Sequence, residues 1–154
     1  RGIRSGGLSV ETVFKFLRTS EHRALLGQAE KRVYRRGDVL LHEGESVGGI
    51  FVVQKGRVLI VREENGDEIT IAEIGPGQIF GEMSFIENQP AGASVVAEEA
   101  TQALLISHDY IAAIIKQNPG FFGRFYQSLA AILSRRLRET NALITSPSPV
   151  FPQD

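Results

Sequence analysis

The chain has 154 residues, 42% of them hydrophobic and 23% charged, which suits one globular domain with a single core. Its 17 basic and 18 acidic residues leave a formal charge of −1, so no broad field recommends nucleic acid or an anionic membrane as a partner. With no cysteine, disulfides, thiolate catalysis and the usual zinc sites are excluded. No apolar run is long enough for a membrane span or a secretion signal, and a cytoplasmic location fits.

The chain opens on Arg1 rather than Met, and Arg1–Gly7, with Ser5-Gly6-Gly7, reads as a linker or cloning remnant on a piece of a longer protein. Apolar residues at Leu8, Val13, Phe14, Phe16 and Leu17, then Ala24, Leu25, Leu26 and Ala29 after Ser20-Glu21, predict two short amphipathic helices. From Lys31 the texture changes. Runs rich in Val, Ile and Leu are broken by Gly about every 8 to 12 residues, the pattern of an all-β sandwich or roll. Strands are expected over 32–35, 39–42, 50–54, 57–63, 68–74, 93–98 and 101–106. The clearest hairpin joins Val58 to Ile74, because Asn65-Gly66 supplies the positive-φ residues of a tight two-residue turn. The Arg36-Gly37-Asp38 tripeptide is read as a plain turn.

After Ile106 the period lengthens. Ser107 is placed to cap a helix carrying Ile111, Ile114 and Ile115, and Asn118-Pro119-Gly120 interrupts it. A long last helix is expected from Phe121 to about Ile144, with an apolar stripe too broad for one seam. One face can cover the β-roll while another meets a second copy in a homodimer. Ser146-Pro147-Ser148-Pro149 cannot continue that helix and reads as a tail. The expected organisation is N-terminal helices over 8–30, a β-roll over 31–106, C-terminal helices over 107–144 and a Pro/Ser-rich tail over 145–154.

The stretch from Phe80 to Ala97 carries the chemistry. Gly81 lets backbone approach a ligand, and Glu82–Phe85 can present free N–H groups at the start of a helical turn, which makes an anion cradle. Such a cradle ordinarily needs a cation, and just after Pro90 stands Ala91. Arg57, Arg62 and Arg124 are candidates to supply it from elsewhere. The cluster Arg135-Arg136-Leu137-Arg138 is read instead as a solvated face favoured by the helix dipole.

The order of Arg36-Gly37-Asp38-Val39-Leu40, Glu43-Gly44-Glu45, Ile50-Phe51-Val52-Val53 with Gly56-Arg57-Val58, Phe80-Gly81-Glu82 and Arg136-Leu137-Arg138-Glu139-Thr140-Asn141 resembles the cyclic nucleotide-binding domain family. That family occurs in catabolite-activator-type transcription factors, kinase regulatory subunits and gated channels. The resemblance runs from about Val33 to Asn141. It implies a mainly β fold, a jelly-roll-like β-roll with two short N-terminal helices and a long C-terminal helix. It also implies a cAMP or cGMP pocket under a phosphate-binding cassette. By the same resemblance Glu82 would accept from the ribose 2′-hydroxyl, and backbone N–H groups near Gly81, Met83 and Ser84 would touch sugar and phosphate. An arginine would pair with the phosphate from the segment that reads here Pro90-Ala91-Gly92-Ala93-Ser94-Val95. Ala91 stands in its place, and Gly92 and Ala93 complete the expected ligand-binding set of Gly81, Glu82, Met83, Ser84, Ala91, Gly92 and Ala93.

Other chemistry is thin. His22, His42 and His108 fall in different elements with no donors at metal-ligand spacing, and no nucleophile elbow, Walker loop or paired catalytic carboxylates appear. The expected function is therefore a non-enzymatic regulatory domain that senses a ligand, with cyclic nucleotide binding weak or non-standard for want of the arginine. The alternatives are a dimerisation or protein-interaction domain with a vestigial pocket, and the sensor part of a truncated transcription regulator. Relatives that bind DNA carry a helix-turn-helix beyond the long helix, where this chain has only the tail, so no nucleic acid and no membrane is expected as a partner of the stretch given.

Overall fold

The apolar run Ile50–Val53 is buried on both faces, and the architecture follows from that. A computed structural model describes residues 13–145, with side chains for 13–140. Eight strands are seen: β1 (Glu30–Tyr34), β2 (Val39–Leu41), β3 (Gly49–Lys55), β4 (Val58–Glu64), β5 (Asp67–Ile74), β6 (Ile79–Phe80), β7 (Ser94–Ala97) and β8 (Thr101–Ser107). They form two antiparallel four-stranded sheets, ordered β1-β8-β3-β6 and β2-β7-β4-β5. Because strand side chains alternate in direction, Ile50 and Val52 of β3 face one way and Phe51 and Val53 the other. Phe51 and Val53 join Val58, Ile74, Phe80, Val95 and Ala103 in one apolar cluster, where Phe51 and Phe80 stack with centroids 4.6 Å apart. Ile50 and Val52 join Ile79, Leu104 and Ile106 in a second cluster that the helices cover.

The described helices are α1 (Thr19–Gln28), α2 (Glu82–Glu87), α3 (His108–Gln117) and α4 (Pro119–Thr145). The mainly β class and the long terminal helix are as expected. The first of the two anticipated N-terminal helices, over 8–17, lies largely outside the described residues, and after Val13 the chain runs in bends and turns, so no helix reaches Leu17. The N-terminal linker and residues 146–154 of the tail are also outside the described residues. Two short elements were not foreseen as strand or helix in their own right: the two-residue β6, and α2 beyond a single turn. β6 owes its form to tertiary pairing with Phe51 and Val52 of β3.

Local signals hold where backbone chemistry dictates them. Asn65 and Gly66 have φ of 53° and 86°, which a tight hairpin turn requires, and β4 pairs with β5 in register from Val58↔Ile74 to Glu64↔Asp67 with a bulge at Ile60/Val61. Ser107 caps α3, its hydroxyl accepting from the N–H groups of Asp109 and Tyr110. Pro119 takes the first position of α4, where its missing N–H costs nothing.

The N-terminal segment is fastened to α4. Phe16 N–H donates to Ser128 Oγ, and buried Glu21 is gripped by Arg124, whose Nε donates to Oε1 at 2.9 Å and whose Nη2 donates to Oε2. The Glu21 carboxyl is lowered from 4.5 to about 2, chiefly by the Arg124 hydrogen bond and against the opposing effect of burial.

Candidate functional site

The cassette begins where β6 ends. Gly81 sits at φ +92°, and a Cβ there would stand 2.5 Å from the Gly49 carbonyl oxygen, so both conformation and space demand glycine. α2 follows and ends at Asn88, whose left-handed φ of 55° lets its N–H donate to the Ser84 carbonyl at 2.7 Å. The chain then folds onto the turn after β2: Ala91 N–H donates to Glu45 O at 2.9 Å, and Gly44 N–H donates to Ala91 O at 2.8 Å.

These segments enclose a cavity of about 330 Å³. One wall is the β2-β7-β4-β5 sheet through Leu41, Ile60, Ala72, Ile74 and Val95, and the opposite wall is Ile79, Phe80 and α2. All seven anticipated site residues, Gly81, Glu82, Met83, Ser84, Ala91, Gly92 and Ala93, line it. Ala91 is buried at 8% exposure, while nothing lies within 4 Å of where a Gly92 Cβ would be.

The cation candidates sort differently from expectation. Arg57 pairs with Glu73, Arg62 with Glu64 and Arg124 with Glu21, all away from the cavity. The guanidinium that lines it belongs to Arg136, which the sequence reading placed on a solvated face. Its Nη1 donates to Glu82 Oε2 at 3.0 Å and its Nη2 to the Ile79 carbonyl. The signal lay in helix spacing. Phe121, Phe125, Leu129 and Ile132 are the buried stripe of α4, and Arg136 is its next member four residues on, whereas Arg135 and Arg138 point to solvent.

Glu82 is 3% exposed. A carboxylate at this depth requires a partner, and the first turn of α2 and Arg136 provide it. Terminal helix and cassette are also joined through Phe85, whose ring lies 5.9 Å edge-on from Phe125 and 6.1 Å from Tyr126. Behind the cassette, His108 Nε2 lies 3.2 Å from the Gly81 carbonyl and its ring is 5.1 Å from Phe85. Burial holds the His108 imidazole below its ordinary range, against backbone hydrogen bonds that act in the other direction. His22 is buried with Nε2 2.6 Å from the Phe14 carbonyl, and among the described residues no group of three metal donors occurs.

The long stripe divides as its breadth suggests. Phe121, Phe125, Leu129 and Ile132 face the domain's own core, while Phe122 and Leu137 are 51% and 61% exposed. No described helix is long and apolar enough to cross a membrane.

Comparison with known proteins agrees with this geometry. The family model of the cyclic nucleotide-binding domain matches residues 31–118. The chain is 33% identical over 130 residues to the cyclic AMP receptor protein of Thermus thermophilus, covering 84% of this chain and 58% of that one. It is 27% identical over 128 residues to the cAMP-dependent protein kinase regulatory subunit of Mycosarcoma maydis, covering 83% and 23% respectively. The chain thus spans little more than half the length of the first relative and under a quarter of the second. A crystal structure of a cyclic nucleotide-binding domain from Methylobacillus flagellatus superposes with TM-score 0.77 at 25% identity, covering 97% of this chain and 90% of that one. On fold, cavity and sequence together, this chain belongs to the cyclic nucleotide-binding domain family.

Proposed function

We propose that the chain is a non-enzymatic regulatory module that senses a small molecule in the cavity under Gly81–Ala93 and passes its state to α4. The observation that carries this reading is that the cavity's one guanidinium among the described residues comes from the terminal helix rather than from the cassette. A ligand in the cavity touches both bodies. It therefore binds best to the arrangement in which α4 lies against the cassette, and occupancy shifts the population toward that arrangement.

Cyclic AMP and cyclic GMP bind weakly in this reading. The missing two-pronged arginine contact costs roughly 3 to 5 kcal/mol, or some 10² to 10⁴ in affinity. Isothermal titration of the chain with both nucleotides and their nucleosides tests the sensing role, and no binding by any of them at millimolar concentration would sink it.

The exposed Phe122 and Leu137 support a second reading, self-association of α4 as a homodimer. A monomer by sedimentation at high micromolar concentration would rule that out.

A further inference from the structure

Four of the six residues from Lys31 to Arg36 are basic and none is acidic, in a chain whose formal charge is −1. They fall on β1 and the turn that follows it. Strand alternation puts Lys31, Val33 and Arg35 on one face, where all three are exposed, while Arg32 and Tyr34 point the other way and are half-buried. Arg32 is taken by Glu30 at 2.9 Å, whereas Lys31, Arg35 and Arg36 make no ion pair among the described residues. Between the two cations of the row Val33 is 71% exposed, the most of any large hydrophobic residue described.

β1 is also an edge. It ends the order β1-β8-β3-β6 and pairs with β8 alone, from Glu30↔Leu105 to Tyr34↔Thr101, so the backbone groups on its other side have no partner among the described residues. The edge stops at Arg35, whose N–H donates to Asp38 Oδ2 at 2.7 Å and whose carbonyl accepts the Asp38 N–H at 3.0 Å. Cations on an edge discourage pairing with a strand like itself. They favour a strand of opposite charge, because opposite charges directly across a ladder attract and like charges repel. Successive members of the row stand about 7 Å apart, the repeat of alternate side chains in any extended chain.

We propose that β1 is a docking edge for an acidic, extended peptide segment of a partner protein, which adds to the sheet beside it. The segment's backbone takes up the outward hydrogen-bonding groups of Glu30–Tyr34. Two of its carboxylates, at the spacing of Lys31 and Arg35, meet those cations, and an apolar residue midway between them covers Val33. No residue of β1 lines the cavity, so docking here is independent of the sensing role.

The test is an NMR titration of the full chain with the peptide acetyl-Thr-Glu-Thr-Val-Thr-Glu-Thr-amide and with its permutation acetyl-Thr-Thr-Glu-Glu-Val-Thr-Thr-amide, which has the same charge but cannot place both carboxylates on one face. The first is expected to bind about 10-fold more tightly, to raise hydrogen-exchange protection in β1, and to lose about 10-fold in affinity for the variant Lys31→Glu/Arg35→Glu. Should that variant fail to fold by circular dichroism, Lys31→Glu alone is expected to cost about 3-fold. Arg36→Glu, off the row, should change affinity by less than about 3-fold. Equal affinity for the two peptides, a loss in Arg36→Glu equal to that in the row variant, binding without protection of β1, or no binding at millimolar peptide overturns the proposal. Tighter binding of a short oligothymidylate of equal charge overturns it in favour of a nucleic acid. Self-association of the parent that Lys31→Glu/Arg35→Glu abolishes overturns it in favour of a second copy, docked through the exposed acidic strand β5.

Discussion

Arg136 and Glu82 stand 54 residues apart in the chain and meet at 3.0 Å between Nη1 and Oε2, closing the terminal helix onto the cassette. The contact is mostly shielded from solvent, so it is worth more than a surface ion pair, and removing one partner leaves the other buried without compensation.

Arg136→Ala should therefore lower stability by about 2 to 3 kcal/mol. Exposed Arg135 makes no ion pair among the described residues, and Arg135→Ala should stay within about 0.5 kcal/mol of the parent. Urea unfolding midpoints of the two variants check the difference. Equal midpoints would show that the Glu82 contact contributes nothing to the fold.

Gly81→Ala combines an unfavourable φ of +92° with a Cβ 2.5 Å from backbone oxygen. The left-handed conformation alone costs roughly 1 to 2 kcal/mol for a residue with a side chain, and Gly49 belongs to β3 and cannot simply move aside. A clear drop in thermal midpoint is expected, together with loss of any ligand binding. Gly66→Ala, at a similar φ but with open space around it, should pay only the conformational part.

The Glu21–Arg124 pair gives a pH signature. Folding lowers the Glu21 carboxyl from 4.5 to about 2, chiefly through the Arg124 hydrogen bond, so its contribution is complete above about pH 4.5. It is lost as pH falls from there through about 2. Glu21→Gln should be less stable than the parent at neutral pH, and the gap between them should narrow across that window. Unfolding free energies of both proteins at several pH values measure it, and a gap independent of pH would contradict the assignment.

Phe85 touches His108, Phe125 and Tyr126, so it couples the cassette to α3 and α4 without lining the cavity. Phe85→Ala is expected to destabilise by about 2 to 3 kcal/mol, below the usual fully buried range because the ring is only partly buried. The more telling readout is hydrogen exchange with and without ligand. Protection of α4 on ligand binding should shrink in the variant while the ligand still binds; unchanged protection would remove Phe85 from the path between cavity and helix.

What the sequence determined on its own is what short-range chemistry fixes. Asn65-Gly66 dictates the hairpin turn, Ser107 caps α3, and alternation between two apolar faces sets Ile50–Val53 within a double-layered roll. The order of glycine-punctuated motifs was enough to indicate the family, and the residues it picked out, Gly81–Ser84 with Ala91–Ala93, line one cavity. Only the tertiary structure decided which cation reaches that site. Arg57, Arg62, Arg124 and Arg136 are chemically alike, and their roles depend on which carboxylate the fold brings within a few ångströms. Helix spacing put Arg136 on the buried stripe with Ile132, but that Glu82 would be waiting beneath it follows from how α4 crosses the cassette, a long-range arrangement no local pattern encodes.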